Sequence, residues 1–406
     1  MMSESANLIE SLFRRDAEII ADPYPAYDRL REAGALHWMP GPPQGPPWLN
    51  AWHFFSYDAV SSALRDGRFS SRRPMLTVPL EHFGIDGSTP EAQFFMSMQA
   101  GMMLSMDAPD HTRLRRLALK AFTPRVVEQL RGEIGDIVGQ LLDAAGSRFD
   151  VMPAIAAPLP AMVIARLLGI PEADWAQFKT WSDGLIGFNI TQEKVANFAR
   201  LGAYLREQIA QRRISPRDDL ISHLVAARDE NDALTEDELI GQCIILLVGG
   251  HETSTYALGN AILRLLEAPM HWHELPAVPI DLAVNELLRF DSPFQALSRR
   301  TVEDIEMDGQ QIASGSTVWL WIAAANRDPE RFEDPNNLDL ARANNRHLSF
   351  GQGPHYCLGA ALAQLEIEVA LDAMRQRWPG LRLEPAGLAW KTDGAIRGPS
   401  SLAVNV

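Results

Sequence analysis

Apolar residues recur every three or four positions along most of this sequence, the spacing that turns one face of a helix toward a core. Tyr24–Arg31 reads as a helix with Pro25 in its first turn, and Tyr57–Arg65 as another. Between them, Ala35–Met39 and Trp48–Phe54 read as a short strand pair. The stretch from Pro40 to Pro47 that joins them is too rich in Pro and Gly for helix or central strand. From Ser70 to Met106 the periodicity is mixed and Pro and Gly recur, which predicts a long, partly ordered loop; such loops inside a compact protein are usually functional. Helical spacing returns after Pro109. Thr123–Pro124 is an N-cap followed by Pro at the first helical position, and that helix is expected to run to about Ala145. Pro153–Leu168, Glu172–Ile186 and Val195–Arg212 read as further helices.

Thr235 and Glu238 form a capping-box pattern, and no Pro follows until Pro269. The predicted helix is therefore roughly thirty residues long, or ~45 Å. It is apolar on nearly every face from Ile244 to Val248, which places it at the centre of the molecule. Asp281–Phe290 is helical, and Ile305–Met307, Gln311–Ala313 and Thr317–Ile322 read as short strands. Ala360–Arg375 returns to helix. No repeat, low-complexity tract or linker interrupts the pattern, so residues 1–406 are expected to form one domain, mainly α with small β-sheets.

Charge narrows the partners. A formal net charge of −15 opposes nucleic acid, which needs a basic surface. The first twenty residues carry Glu4, Glu10, Arg14, Arg15, Asp16 and Glu18, which breaks any signal peptide or membrane anchor. A cytoplasmic protein with no membrane partner is expected. The two cysteines, Cys243 and Cys357, are too few for a disulfide scaffold. Cys243 lies on the apolar part of the long helix and reads as core.

Cys357 is different. It ends the run Phe350-Gly351-Gln352-Gly353-Pro354-His355-Tyr356-Cys357-Leu358-Gly359, directly before a helix. Free N–H groups at a helix start stabilise a thiolate. Gly351 and Gly353 let the backbone turn tightly around the sulfur, and Gly359 has no side chain to obstruct a flat macrocycle. The bland alternative, a buried structural thiol, leaves the surrounding Phe, His and three glycines without a reason. Cys357 therefore reads as a thiolate ligand to heme iron, with His355 in reach of a heme propionate.

Four more segments stand in order upstream: His111-Thr112-Arg113-Leu114-Arg115-Arg116, Gly249-Gly250-His251-Glu252-Thr253, Glu286-Leu287-Leu288-Arg289, and Asn326-Arg327-Asp328-Pro329 with the later Arg342. With the cysteine loop, this ordered set resembles the cytochrome P450 family across nearly the whole chain. The resemblance implies a mostly helical fold with heme b (iron protoporphyrin IX) between the long central helix and the loop of its ligand Cys357. It implies a buried Glu286–Arg289–Arg342 group of structural role. By the same resemblance Gly249 and Gly250 leave room beside the cofactor, while Thr253 and Glu252 are catalytic, guiding protons to oxygen. His111, Arg115, Arg299, His347 and His355 match positions that contact heme propionates, and Phe350, Gly351 and Gly359 frame the cofactor.

The implied reaction is insertion of one atom of dioxygen into a hydrophobic small molecule, by hydroxylation or epoxidation of a terpenoid, steroid, fatty acid or aromatic. Met96, Met98, Leu246, Phe294, Leu297 and Ile396 are the candidate substrate contacts, from apolar segments that include Leu76, Trp181–Ile190 and Ala395. No electron-transfer domain is attached, so a separate ferredoxin and ferredoxin reductase are the implied donors to a monomer. Arg72, Arg73, Arg113, Arg116, Arg342 and Arg346 are expected to offer an acidic ferredoxin a basic face. The alternative is a heme-thiolate binding or sensor protein without oxygenase turnover, for which the Glu252–Thr253 pair would have no purpose.

Overall fold

The computed structural model describes residues 4–41, 50–72, 80–182, 190–229, 232–392 and 396–406. Its first third alternates short helices and strands: α1 (Glu4–Arg14), α2 (Ala17–Ala21), α3 (Tyr24–Ala33), β1 (Leu36–Met39), β2 (Ala51–Phe54), α4 (Tyr57–Arg65) and β3 (Phe69–Ser70). The expected strand pair is present as β1 and β2, antiparallel. Residues 42–49, within the anticipated connection and the start of its second strand, lie outside the described residues. Ser56 caps α4 by accepting from the Ala59 N–H.

The stretch from Ser70 to Met106 departs from the sequence reading. It contains helix α5 (Pro90–Gly101) between two 3-10 turns, Leu80–Phe83 and Met103–Ser105; residues 73–79 lie outside the described residues. The side chain of Thr89 accepts from the Ala92 N–H and Pro90 opens the first turn, a sound helix start. The periodicity is blurred because α5 is apolar on more than one face. Ala92, Phe95 and Met98 are buried in the core, and Phe94 and Met96 pack against it partly buried.

Helix α6 (Asp110–Ala121) follows, then α7 (Pro124–Gln129) and α8 (Arg131–Ala144). The single helix expected after Thr123 is thus two, broken at Leu130, whose φ of −76° and ψ of −11° bend the chain so that both pieces pack on the helix after Cys357. Strand β4 (Arg148–Asp150) and one π-helical turn, Met152–Ala156, lead into α9 (Pro158–Leu168). Then come α10 (Trp175–Ser182), α11 (Gln192–Ile214), α12 (Leu220–Ala226) and the hairpin β5 (Arg228–Asp229) and β6 (Asp232–Ala233). The end of the helix anticipated over Glu172–Ile186 lies outside the described residues.

Helix α13 (Glu236–Glu267) is the long central helix, 32 residues opened by the Thr235–Glu238 capping box. It packs against α5, α9 and α11. After α14 (Pro269–Glu274) and α15 (Ile280–Phe290) come β7 (Leu297–Thr301), β8 (Ile305–Met307), β9 (Gln310–Ile312), β10 (Thr317–Leu320) and α16 (Ile322–Ala325). The main sheet has the order β1-β2-β10-β7-β3. Helix α17 (Ala360–Arg377) also packs on α13, and the chain ends in β11 (Arg382–Trp390) and β12 (Pro399–Asn405), with β12 paired between β11 and β4. That sheet has no counterpart in the sequence reading. The largest apolar core surrounds α13, and two smaller cores flank the main sheet.

Candidate active site

The cysteine loop is held by backbone geometry. Gly351 and Gly353 have φ of +68° and +71°, a region that strains other residues. A Cβ on Gly353 would also press against the backbone of Leu64 and Arg65 at the end of α4. The Cys357 N–H donates to Phe350 O at 2.8 Å and the Tyr356 N–H to Gly353 O at 3.1 Å, closing the loop just before α17. Cys357 is exposed, unlike Cys243, which is fully buried with its thiol pushed up to about 12. Yet desolvation by surrounding protein raises the Cys357 thiol too, against the pull of a Gly359 N–H and Arg115. A sulfur both reachable and desolvated stands in a concavity rather than on an outer surface. The hydrogen bond to the sulfur comes from the Gly359 N–H, at the helix start.

On α13, the second element implicated by the sequence, Thr253 Oγ1 donates to Gly249 O at 2.5 Å, so the hydroxyl is held along the helix backbone. A Cβ built on Gly249 meets nothing within 4 Å, and one on Gly250 comes no closer than 3.7 Å to Ile164 of α9. Gly359 likewise faces open space. Glu252 and His251 are buried. So is Glu366 of α17, hydrogen-bonded to Ser254, with burial pushing its acid up to about 8. Sequence reasoning missed Glu366; the signal was one carboxylate between Leu365 and Ile367 on a helix whose neighbouring positions are buried.

His111 and His355 bring α6 and the cysteine loop together, their ring centroids 4.0 Å apart. Nε2 of His111 is buried without a hydrogen-bond partner. Burial, then neighbouring positive charge, holds both imidazoles below their usual range, His355 at about 3. Arg115 donates to Tyr356 O at 2.6 Å, and the buried Arg299 on β7 is near enough to His355 to depress it further. These four basic groups converge at one edge. An orphaned buried imidazole nitrogen in a group with two arginines, a reachable sulfur and open space at Gly249 and Gly359 fit a flat, dianionic heme.

His347 bonds to protein groups on either side of it. Its Nδ1 accepts from the Ser349 N–H at 3.2 Å, so Nε2 carries the proton and donates to Asn285 Oδ1 on α15 at 3.1 Å. Both nitrogens serve to fasten the loop. Of the arginines expected to form a basic docking face, two are paired with carboxylates. Arg342 is drawn inward, its Nε 3.1 Å from Glu286 Oε2, and Arg113 pairs with Asp232 at 3.0 Å and with Glu238. Arg72 stands 3.9 Å from Asp107, and Arg73 lies outside the described residues. Beside the loop is an open cleft of about 530 Å³ lined by His111, Thr112, Arg115, Arg116, Leu119, Lys120, Gly353 and Pro354.

Glu286 and Arg289 are both fully buried, 2.7 Å apart. Glu286 also accepts from Asn345 and the Asp339 N–H, while Arg289 donates to the carbonyls of Asn326 and Pro335. Side chains on α15 thereby clamp the chain that leads to the cysteine loop. Of the substrate candidates, Phe294 and the fully buried Ile396 form a β-bridge, and Met98 and Leu246 share the main core with Met96 against it. Leu297 packs on a sheet core. Leu76, residues 183–189 and Ala395 lie outside the described residues. No helix among those described is long and apolar enough to cross a membrane.

Comparison with known proteins accords with this geometry. The family model for cytochrome P450 matches residues 188–277 and 271–379. The cytochrome P450 monooxygenase PikC of Streptomyces venezuelae is 38% identical, covering 95% of this chain and 92% of its own. The mycinamicin IV hydroxylase/epoxidase of Micromonospora griseorubida is 39% identical, over 89% and 90%. The structure of the polyketide synthase cytochrome P450 PksS of Bacillus subtilis superposes with a TM-score of 0.86 at 35% identity, covering 100% of this chain and 99% of that one.

Proposed function

The chain belongs to the cytochrome P450 family and is a monooxygenase, and we propose that it inserts one oxygen atom from dioxygen into a hydrophobic small molecule held between α5, α13 and the cysteine loop. One observation carries this reading: a reachable, desolvated Cys357 sulfur at the start of α17, with open space at Gly249 and Gly359. The cofactor is heme b, which when bound supplies the activation of dioxygen.

The protein's own part is to hold, screen and deliver protons. Cys357 ligates the iron as a thiolate, and a cation at the sulfur overcomes the desolvation that raises its thiol. The Gly359 N–H fixes the direction of the sulfur's lone pairs. His111, Arg115, Arg299 and His355 take the two propionates, which relieves the buried imidazole nitrogen of His111. Thr253, anchored on Gly249 O, presents its hydroxyl to the oxygen site, and Glu252 beside it passes protons through water.

The substrate is hydrophobic because the candidate contacts Met96, Met98, Leu246, Phe294 and Ile396 are all apolar. The name of the polyketide synthase cytochrome P450 PksS makes polyketides the first class to screen, and the hydroxylase/epoxidase relative makes hydroxylation and epoxidation the reactions to look for. Electrons come from a ferredoxin and its reductase, which meet the protein at the cleft of Arg116, Leu119 and Lys120. The protein acts in the cytoplasm as a monomer of one domain. The deciding experiment is the absorption spectrum of the dithionite-reduced protein with carbon monoxide, alongside Cys357→Ala. A strongly red-shifted Soret band that the variant loses is expected. A band indifferent to the substitution, or folded and heme-supplied protein that binds none, overturns the assignment.

A further inference from the structure

Phe94 on α5 is half-buried and packed against the main core, with its ring entering α11 at Gly202. A Cβ on Gly202 would fall inside the van der Waals radii of Phe94 Cζ and Cε1, so only glycine admits the ring. Gly202 lies in the middle of a 23-residue helix, where glycine costs stability and calls for a reason. The ring is held on two further sides. Phe198, one turn earlier on α11, has its centroid 5.9 Å away, and the Arg206 guanidinium, one turn later, stands 5.9 Å from the ring centre. Phe95 reaches the same Phe198 edge-on at 5.1 Å. Arg206 in turn pairs with Glu236 in the first turn of α13 at 3.3 Å. One aromatic ring in a backbone notch therefore ties α5 to α11, and a salt bridge carries the tie to α13.

We propose that this contact between Phe94 and Gly202 sets the size of molecule the site admits; the proposal rests on the substrate reading above. Helix α5 is a wall rather than a floor, since it packs on both α11 and α13. Its inner side carries Met98, followed by Met102 and Met103, whose flexible thioethers adapt to what lies beside them. Small molecules are accommodated by moving those side chains. A larger one must shift α5 as a body, and the ring then leaves its notch. Phe94 is a specificity-determining residue through position, without touching the reacting atoms.

The test uses the heme-loaded protein and two iron-binding probes, imidazole and clotrimazole, followed by the Soret shift in stopped flow. Phe94→Ala and Gly202→Ala both expel the ring from the notch. Each is expected to raise the clotrimazole on-rate roughly three- to tenfold, the scale of one aromatic pair contact, while imidazole stays within about twofold. The double variant is expected to match the single ones, because both remove one contact. Phe94→Leu keeps Gly202 and the apolar bulk and is expected to fall between, which guards against misfolding of Gly202→Ala. Amide hydrogen exchange across Pro90–Gly101, which needs no bound heme, is expected to quicken in Phe94→Ala while α15 is unchanged. An unchanged ratio of clotrimazole to imidazole on-rates in folded variants overturns the proposal, as does unchanged exchange in α5. Loss of the thiolate band in the parent protein would instead overturn the heme reading.

Discussion

The Thr253 hydroxyl is bonded to Gly249 O inside a helix that carries two successive glycines, each costing about 1 kcal/mol against alanine. Thr253→Ala removes the hydroxyl and leaves the room made by the glycines. Electron consumption is expected to continue while product falls by on the order of tenfold or more, the scale of a lost proton-transfer group, and peroxide rises. Coupling equal to the parent's would remove Thr253 from proton delivery. Glu366 gives a second residue-scale prediction. Its folded pKa of about 8 lies above an ordinary glutamate's, so between those values the folded state holds a proton that the unfolded state has released. Stability from this group therefore falls as pH rises from ~4.3 through about 8 and is level above. Glu366→Gln cannot ionise and should gain on the order of 1–3 kcal/mol over the parent at pH 9 and little at pH 4. Parallel urea midpoints across that pH range would refute it. At this scale the sequence was most informative where chemistry demands an unusual local pattern, as around Cys357. It was least informative where burial decides: nothing local separates His347, whose nitrogens brace a loop, from His111, whose nitrogen is orphaned.

Elements were legible in proportion to how completely their own ends specify them. Helix α13 could be drawn from its capping box and its distance to the next proline, and α4 from its apolar period. Helix α5 has an equally good cap at Thr89, but it buries different faces against different neighbours, so a period search sees disorder. The sheet of β4, β11 and β12 pairs strands from residues 148–150 with the C-terminal segment, a long-range partnership that local propensity does not encode. Between elements, α15 matters most, because the Glu286 carboxylate gathers Arg289, Arg342, Asn345 and the Asp339 N–H. Glu286→Gln leaves Arg289 buried with its charge uncompensated, a loss of about 3–5 kcal/mol. The expected outcome is a folded but heme-poor protein, since the clamp carries the chain that leads to Cys357. A heme-to-protein ratio matching the parent's would show that the loop is held by other contacts, such as Asn326 to Ser349 and Leu348.

Over the whole molecule the formal charge is −15, and two of the six arginines that the sequence offered for docking, Arg113 and Arg342, are paired with carboxylates. These facts bear on each other. An acidic ferredoxin would be repelled by the molecule at large and would meet Arg116 and Lys120 where they border an apolar spot made by Leu119 and Pro354 beside the cysteine loop. Such a layout steers encounter through charge and seats it through apolar contact, so its rate depends on ionic strength more than its final geometry does. Raising salt from about 0.05 M to about 0.5 M shortens the screening length from roughly 14 Å to roughly 4 Å, within the size of the cleft. Ferredoxin-driven kcat/KM is therefore expected to fall by on the order of tenfold over that range. Lys120→Glu should lower it at low salt and flatten the dependence, with the carbon monoxide spectrum unchanged because Lys120 is exposed and outside the heme-holding group. Leu119→Ala should act in the other sense, weakening turnover by a factor that salt does not alter. Turnover insensitive to both salt and Lys120→Glu would move the electron donor's docking site away from this cleft.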